Sequence, residues 1–224
     1  IRSVASPTLA EALMPTPGTA GPDAPLLLPT LPALTARQLL HAIDAGDWDT
    51  ITPARAALFQ LCESDPATQT RMRQTLERAV GEDDTYLRTL FGRQRGPVIV
   101  DGSNAAWYDQ DLLASGRPRL RSLLGLRRAL RGQGYFPILL YADAPLPYTI
   151  DEPEQLRQMA AQGEIAIVDG GVDADEVLLR AAKHWDAPLV TNDRMNDWDP
   201  LGEVRKIRYT IAANGGAYLL PESD

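Results

Sequence analysis

The chain has 224 residues, of which 44% are hydrophobic and 23% charged, so it has material for one ordinary domain plus a smaller module and is not wholly disordered. No apolar stretch approaches the ~20 residues needed to cross a bilayer, and the Pro-broken start lacks a signal-peptide core, so we expect neither feature. The single cysteine, Cys62, excludes an internal disulfide and fits a cytoplasmic protein.

Residues 1–34 form a Pro-rich segment that holds seven of the eighteen prolines and few charges. Proline fixes φ and removes a backbone donor, so this segment is predicted to be a linker or an extended arm. The run Leu26-Leu27-Leu28 gives it a means of anchoring to a surface.

Residues 35–92 are predicted to form a small all-α module. Thr35 is placed to cap the first helix, Pro53 fits a first helical position, and Asp65-Pro66 starts a longer apolar pattern at helical spacing. We expect this module to offer a dimerisation surface or a docking surface for a protein partner. The predicted helices cover 35–45, 53–62, 65–80 and 83–91.

From Gly96 onward the pattern becomes strand, loop and helix in alternation. Short apolar strands separated by helices predict a mainly parallel sheet with both faces covered. Ligands of such sheets bind beyond the carboxyl ends of the strands. The predicted strands are 97–100, 136–141, 165–168, 189–191 and 204–211, and the predicted helices are 118–131, 153–161 and 173–185.

Acidic residues fall at that carboxyl edge. Asp101 ends the first strand, Asp175 lies at the start of a helix, and Asp193 follows the fourth strand. Two carboxylates about 4 Å apart repel by roughly 4 kcal/mol at an effective dielectric of about 20, so such a cluster needs a cation. Oxygen ligands without His or Cys favour Mg²⁺ or Mn²⁺, which can activate a water and neutralise charge on a phosphate. The pattern therefore predicts metal-assisted phosphodiester hydrolysis.

Each acidic position also has a structural interpretation. An Asp after a strand is a common turn former, and Asp193 is placed to cap a helix near Arg194. Asp173 with Glu176 matches a capping box, and acidic residues in a first turn favour the helix dipole. Three independent structural roles at one sheet edge are less expected than one shared function, so we favour the metal-site interpretation for Asp101, Asp175 and Asp193 taken together.

Three segments carry a resemblance to a known family: DGSN at 101–104, Asp-Glu at 175–176 and TNDRMNDW at 191–198. Over about 96–212 they make the chain similar to the NYN domain, the PIN-like group that includes regnase-type ribonucleases. The resemblance implies a three-layer α/β domain at 96–224 with a central, mainly parallel sheet. It also implies single-stranded RNA as the substrate and endonucleolytic cleavage that leaves a 5′-phosphate.

The resemblance further implies roles for individual residues. Asp101, Asp175 and Asp193 would hold Mg²⁺ or Mn²⁺, directly or through water, and Asn104 would orient a water. Glu176 and Asp197 would support them. Regnase-type members carry Asp-Asp where this chain has Asp175-Glu176, which puts direct metal contact by Glu176 in doubt. The predicted acidic pocket comprises Asp101, Asn104, Asp175, Glu176, Asp193 and Asp197.

Substrate contacts are predicted from an arginine-rich segment. Residues 93–134 contain eight Arg and three Asp, a local balance of +5 in a chain of net charge −8. Partners respond to such local fields, although genomic base bias also produces Arg-rich chains. Trp107 and Tyr108 are candidates for base stacking or for apolar packing, and Arg127 and Arg131 for structural pairing. The predicted substrate-binding residues are Ser103, Arg117, Arg119, Arg121, Arg128 and Arg194.

Two other functions compete with an RNA nuclease. The domain can be a non-catalytic module that binds RNA or protein, or a structure-specific nuclease directed at DNA, because the chemistry does not distinguish the two sugars. A Rossmann-type nucleotide enzyme is excluded, since GSNAAW lacks the glycine-rich turn such an enzyme needs after its first strand.

Overall fold

The fold is taken from a computed structural model that describes residues 25–26, 34–108 and 116–221. The predicted Pro-rich arm therefore lies outside the described residues except at 25–26 and 34, and so do Leu27, Leu28, Asp109 and Asp111. Leu26 is described, and its side chain is buried in the core of the helical module. Within the described residues, no helix is long and apolar enough to cross a membrane.

The elements confirm an α/β architecture preceded by helices. The helices are α1 Ala36–Asp44, α2 Trp48–Ser64, α3 Pro66–Val80, α4 Thr85–Phe91, α5 Gly102–Ala106, α6 Leu120–Gly132, α7 Leu146–Thr149, α8 Pro153–Ala161 and α9 Ala174–Trp185. The strands are β1 Pro25–Leu26, β2 Leu34–Thr35, β3 Gly96–Asp101, β4 Tyr135–Ala142, β5 Ala166–Ile167, β6 Leu189–Val190, β7 Lys206–Ile207, β8 Tyr209–Ile211 and β9 Ala217–Leu219.

The central sheet has five parallel strands in the order β5-β4-β3-β6-β7. Alternate residues of β3 point to opposite faces: Val98 and Val100 pack with the leucines of α6, whereas Ile99 packs with Leu178 and Leu179 of α9. Helices thus cover both faces, which confirms the predicted three-layer α/β arrangement around a central parallel sheet. All five strands share one carboxyl edge, where ligands of such sheets bind.

The first helix is fixed by a capping box. The Thr35 hydroxyl accepts from the backbone N–H of Gln38 at 3.2 Å, and the Gln38 side chain accepts from the backbone N–H of Thr35 at 2.9 Å. The predicted start of the second helix at Pro53 is wrong, because α2 begins at Trp48. Asp47 caps that helix by accepting from the N–H of Thr50 at 3.1 Å, which places Pro53 in its second turn.

Buried arginines of α6 join the helical module to the sheet. Arg131 is 4% exposed, donates to the carboxylates of Asp44 and Asp83, and lies 3.8 Å from the centre of the Tyr86 ring. Arg127 pairs with Asp44 and, at 2.8 Å, with Glu164. These contacts bear out the expectation that Arg127 and Arg131 serve structure.

The single strand predicted at 204–211 is in fact two strands. β7 completes the parallel sheet, whereas β8 pairs with β9 in a separate antiparallel hairpin. The division falls at Arg208, whose side chain turns toward the loop after β6 and donates to the carbonyl oxygens of Thr191 and Asp193. The hairpin packs so closely on α6 that a Cβ at Gly125 would lie 1.8 Å from the Gly215 carbonyl oxygen.

Candidate active site

Asp101 lies at the centre of the carboxyl edge. It ends β3, is only 7% exposed, and caps α5 by accepting from the N–H of Asn104 at 2.9 Å. The next residue has to be glycine, because a Cβ at Gly102 would lie 2.7 Å from the Tyr141 carbonyl oxygen of the neighbouring strand. The tight turn of the DGSN segment thus holds a buried carboxylate beside β4.

Two side chains tie this turn to the loop after β6. Thr191 donates from its hydroxyl to Oδ2 of Asp101 at 2.9 Å, and the same hydroxyl accepts from the N–H of Asp193 at 3.1 Å. Asn104 accepts through Oδ1 from the N–H of Asn192 at 2.9 Å and from the hydroxyl of Tyr209 at 2.6 Å. The amide oxygen of Asn104 is therefore committed to structure, and its NH₂ group is the part that can serve a ligand.

The carboxylates at this edge repel one another. Burial, together with the charges of Asp175 and Asp193, raises the pKa of Asp101 to about 6. Hydrogen bonds from the N–H of Asn104 and the hydroxyl of Thr191 lower this pKa and so oppose part of the rise. Burial also raises the pKa of Asp175, helped by the charges of Asp193, Asp173 and Asp197. Asp101, Asp175, Asp193 and Asp197 thus contribute to one negative field.

The loop after β6 carries Asp193 on a turn. The alternative interpretation, in which Asp193 caps a helix near Arg194, is wrong, since its Oδ1 accepts from the N–H of Met195 at 2.8 Å and no helix follows. Met195 has a left-handed backbone with φ of 51°, which bends the chain there. Asp193, Arg194 and Asp197 are all exposed as a result.

The start of α9 separates the roles of its acidic residues. Asp173 caps the helix by accepting from the N–H of Asp175 at 2.9 Å, as its predicted capping role requires. Glu176 does not return the bond of a capping box and instead pairs with Arg180 along the helix. In this structure Glu176 therefore belongs to a surface ion pair, whereas Asp175 belongs to the carboxylate cluster.

Ser103 is hydrogen-bonded to the end of β4. Its hydroxyl donates to Oδ1 of Asp143 at 2.7 Å and accepts from the N–H of Asp143 at 2.9 Å. These two bonds tie the turn after β3 to the end of β4. The single donor of the hydroxyl is engaged there, so in this structure Ser103 holds the edge together.

The predicted arginines divide into two groups. Arg117 is exposed just before α6, and Arg121, in its first turn, donates to the Ala213 carbonyl oxygen at 2.8 Å. Arg119 lies between them, and its N–H donates to the Ala106 carbonyl oxygen at 2.8 Å. Arg128 lies about 10 Å farther along α6 and pairs with Asp83 at 3.1 Å, so it contacts the helical module instead of the carboxyl edge.

The donor set fits a hard divalent cation. Within 34–108 and 116–221, no salt bridge balances the charge of the four clustered carboxylates, which are Asp101, Asp175, Asp193 and Asp197. Among the described residues, no group of three or more His, Cys, Asp or Glu side chains is close enough together to hold a metal ion, so Asp101, Asp175 and Asp193 are neighbours in this structure but not a complete set of ligands. Mg²⁺ in particular keeps several waters and is held by one or two carboxylates with substrate phosphates, which suits an open arrangement.

Sequence reasoning missed three residues of this site. Thr191 is fully buried and contacts Asp101, Tyr209 contacts Asn104, and Arg208 holds the loop that carries Asp193. A signal existed for Thr191, which is a polar residue at the end of an otherwise apolar strand and directly precedes Asn-Asp. Arg208 and Tyr209 gave none, because their partners lie at least 15 residues away in sequence.

The chain is similar to known proteins at two levels, solved structures and a family model. Two structures of nuclear protein-only RNase P 2 (PRORP2) from Arabidopsis thaliana are similar to the chain: one with 21% identity, a TM-score of 0.44 and coverage of 80% of this chain, the other with 22%, 0.42 and 70%. The chain spans only 36% of the length of each. A search of curated proteins gave no match.

A model of the Zc3h12a-like ribonuclease NYN domain matches residues 94–211, just over half of the chain. The chain therefore belongs to the Zc3h12a-like ribonuclease NYN domain family.

Proposed function

We propose that this protein is a metal-dependent endoribonuclease that hydrolyses single-stranded RNA at the carboxyl edge of its sheet. The observation that carries the proposal is the buried Asp101 carboxylate, whose pKa is raised by burial and by the charges of Asp175 and Asp193. Buried carboxylates perturbed by neighbouring charges at a ligand-binding edge are candidates for functional sites. Membership of a family of ribonuclease domains supplies the reaction class and the RNA substrate.

Mg²⁺ or Mn²⁺ is the proposed cofactor. Asp101, Asp175 and Asp193 would hold the ion, because their oxygens are hard ligands and their charges lack a partner from the protein. When bound there, such an ion lowers the pKa of a water and neutralises negative charge on the phosphate under attack. Hydrolysis would add a water to phosphorus and break the bond to the 3′ oxygen, which would take up a proton.

Neighbouring side chains would keep these ligands in place. Thr191 holds one oxygen of Asp101, and Arg208 holds the backbone of the loop that carries Asp193. Asn104 fixes that loop through its amide oxygen and presents its NH₂ group to a water or a phosphate oxygen. Asp197 adds to the negative field, and Glu176 would join it only by leaving Arg180.

Arginines at the same edge would bind the RNA backbone. Arg117, Arg119 and Arg121 lie at or before the start of α6, and Arg194 directly follows Asp193. Guanidinium groups suit bidentate contact with phosphates, and these arginines bring positive charge to an edge that is otherwise acidic. Arg128 is left out of the proposed RNA path because of its pairing with Asp83.

The test is cleavage of a 5′-labelled single-stranded RNA with Mn²⁺, with Mg²⁺ and with EDTA. The proposal expects internal cuts that need metal and that Asp193→Asn abolishes. The matched control is Asp169→Asn, an exposed Asp that also follows a strand at this edge, and it should cleave like the wild type. Equal cleavage of the same sequence as DNA would favour the DNA-directed nuclease. Binding without cleavage in either metal would favour a non-catalytic RNA-binding module.

A further inference from the structure

An open groove of about 530 Å³ is lined by residues that follow α5, precede α6 and belong to or follow α7. Trp107, which follows α5 directly, and Tyr148 of α7 both line it. Arg117 and Pro118 belong to the same lining. Its volume falls in the range of small-ligand sites, and nothing in the proposed cleavage site uses these residues except Arg117.

The walls of this groove are fixed to the same sheet edge as Asp101. The N–H of Asp151 donates to the Pro118 carbonyl oxygen at 3.1 Å, and Oδ1 of Asp151 accepts from the N–H of Leu120 at 2.9 Å. The N–H of Trp107 donates to the Ser103 carbonyl oxygen at 3.0 Å. The segments before α6 and after α7 are thereby joined, so these two parts of the lining are held together.

Tyr148 is unusual for an aromatic residue because 82% of it is exposed. Trp107 is half-buried, and Arg117 is exposed beside it. Aromatic faces next to a guanidinium are the usual means by which proteins hold single-stranded nucleic acid, since every base has a face that stacks. Tyr108, by contrast, packs against Tyr209 at 5.7 Å and bonds Thr210, so it is not available for stacking.

The charge of the groove decides which part of a nucleotide it fits. Asp151 lies in the lining, and one of its carboxylate oxygens is not needed for Leu120. A carboxylate repels a phosphate but accepts hydrogen bonds from the amino and imino groups of a base. A base therefore fits inside the groove, and its phosphate fits at Arg117 on the rim.

The groove also lies within reach of a strand bound at the acidic cluster. α5 spans only Gly102–Ala106, so Trp107 lies roughly 9 Å along the helix axis from Asp101. An RNA strand whose phosphate sits at Asp101 would pass over the groove with a neighbouring nucleotide. The occupant is thus continuous with the substrate of the proposed site.

We infer that the groove between Trp107 and Tyr148 is a nucleobase-stacking subsite for single-stranded RNA, placed a short distance along the strand from the scissile phosphate. This inference rests on the proposed function for the identity of the strand. The groove would set which nucleotide is held beside the cut, and the free acceptor of Asp151 favours bases that carry an amino group.

The test measures binding of a fluorescent single-stranded RNA in EDTA, so that cleavage plays no part. Tyr148→Ala should weaken binding about tenfold, because the loss of a stacked base costs that order of affinity. Tyr148→Phe keeps the ring and should bind within about twofold of the wild type. The matched control is Phe59→Ala, which removes an exposed aromatic ring of the helical module and should leave binding unchanged.

A second measurement places abasic nucleotides one at a time along the RNA. At one position the missing base should weaken wild-type binding, and Tyr148→Ala should be insensitive to that same change. Full affinity of Tyr148→Ala, or additive effects at every position, would overturn the subsite. If RNA binding depends on Tyr148 but the RNA is not cleaved with Mn²⁺, the nuclease proposal is overturned and the subsite stands. If the RNA is cleaved with metal but Tyr148→Ala does not change the affinity, the subsite is overturned and the nuclease proposal stands.

Discussion

The hydroxyl of Thr191 donates to Oδ2 of Asp101 at 2.9 Å and accepts from the N–H of Asp193 at 3.1 Å. One fully buried hydroxyl therefore fixes two of the three residues proposed to hold the metal. Its position at the end of β6, beside the end of β3, comes directly from the strand order of the parallel sheet.

Thr191→Val should lower kcat about 10- to 100-fold, as loss of a side chain that orients a metal ligand generally does. The fold should persist, because valine fills nearly the same volume. The hydrogen bond from Thr191 lowers the pKa of Asp101, so its loss should also move the acid limb of the pH–rate profile to higher pH. Thr191→Ser keeps the hydroxyl and should retain most activity. An unchanged kcat and pH profile in Thr191→Val would show that the hydroxyl does not position Asp101.

Asp101→Asn should stabilise the metal-free protein at pH 8. The pKa of Asp101 is raised from 3.8 to about 6, so the folded protein favours the protonated carboxyl. The contribution of this group to the free energy of unfolding is therefore complete below pH 4 and is lost as the pH rises through about 6. The rise corresponds to about 3 kcal/mol, an upper value for the repulsion and burial that asparagine would remove while still capping α5.

The measurement is thermal unfolding of both proteins in EDTA across pH 5 to 8. We expect the variant to unfold several degrees higher at pH 8, roughly 2–4 °C for each kcal/mol, with the difference shrinking below pH 6. A variant that is less stable at every pH would contradict a strained carboxylate at this position. The same variant should lose RNA cleavage.

Most of the sheet could be predicted from the sequence. Strands such as 97–100 and 136–141 are short and apolar and lie between helical segments, and β3 and β4 form there. The sequence predicts a single strand at 204–211 because the alternation of apolar and polar residues continues through Arg208. Only the three-dimensional position of the loop after β6 shows why the chain divides there, since Arg208 bonds that loop.

The carboxylates of the site could be found from the sequence, but their supports could not. Asp101 and Asp193 stand at strand ends, a position that the parallel-sheet rule assigns to one edge. The sequence predicts a supporting role for Glu176 beside Asp175, but its pairing with Arg180, one helical turn away, becomes evident only in the structure. The sequence predicts a substrate contact for the Ser103 hydroxyl. Its hydrogen bond to Asp143 could not be predicted, because the two residues lie 40 positions apart in sequence.

Mg²⁺ or Mn²⁺ should stabilise the folded protein, because relief of carboxylate repulsion exists only in the native arrangement. At a metal concentration 100 times the Kd, the gain in unfolding free energy is about 2.7 kcal/mol. Thermal unfolding at pH 8 with metal and with EDTA measures it. Asp193→Asn should lose most of the gain, whereas Asp169→Asn should keep it. Equal stabilisation of wild type and Asp193→Asn would place the ion elsewhere.

Arg131→Met should destabilise the protein by about 3–5 kcal/mol, because it leaves the partly buried carboxylates of Asp44 and Asp83 without their shared partner. The matched control is Arg128→Ala, which removes a 65% exposed arginine from the same Asp83 and should cost at most about 1 kcal/mol. Urea unfolding compares the two. Similar small losses in both variants would show that the helical module is not held by this buried network.

The most direct test of the central claim is cleavage of a circular single-stranded RNA, which has no ends for an exonuclease. With Mn²⁺ or Mg²⁺, the wild-type protein should convert the circle to a linear molecule of full length and then to fragments, with EDTA and Asp101→Asn each preventing the first cut. A circle that stays intact while linear RNA is shortened from its ends, or one that Asp101→Asn cuts as fast as the wild type, would contradict a metal-dependent endoribonuclease at this site.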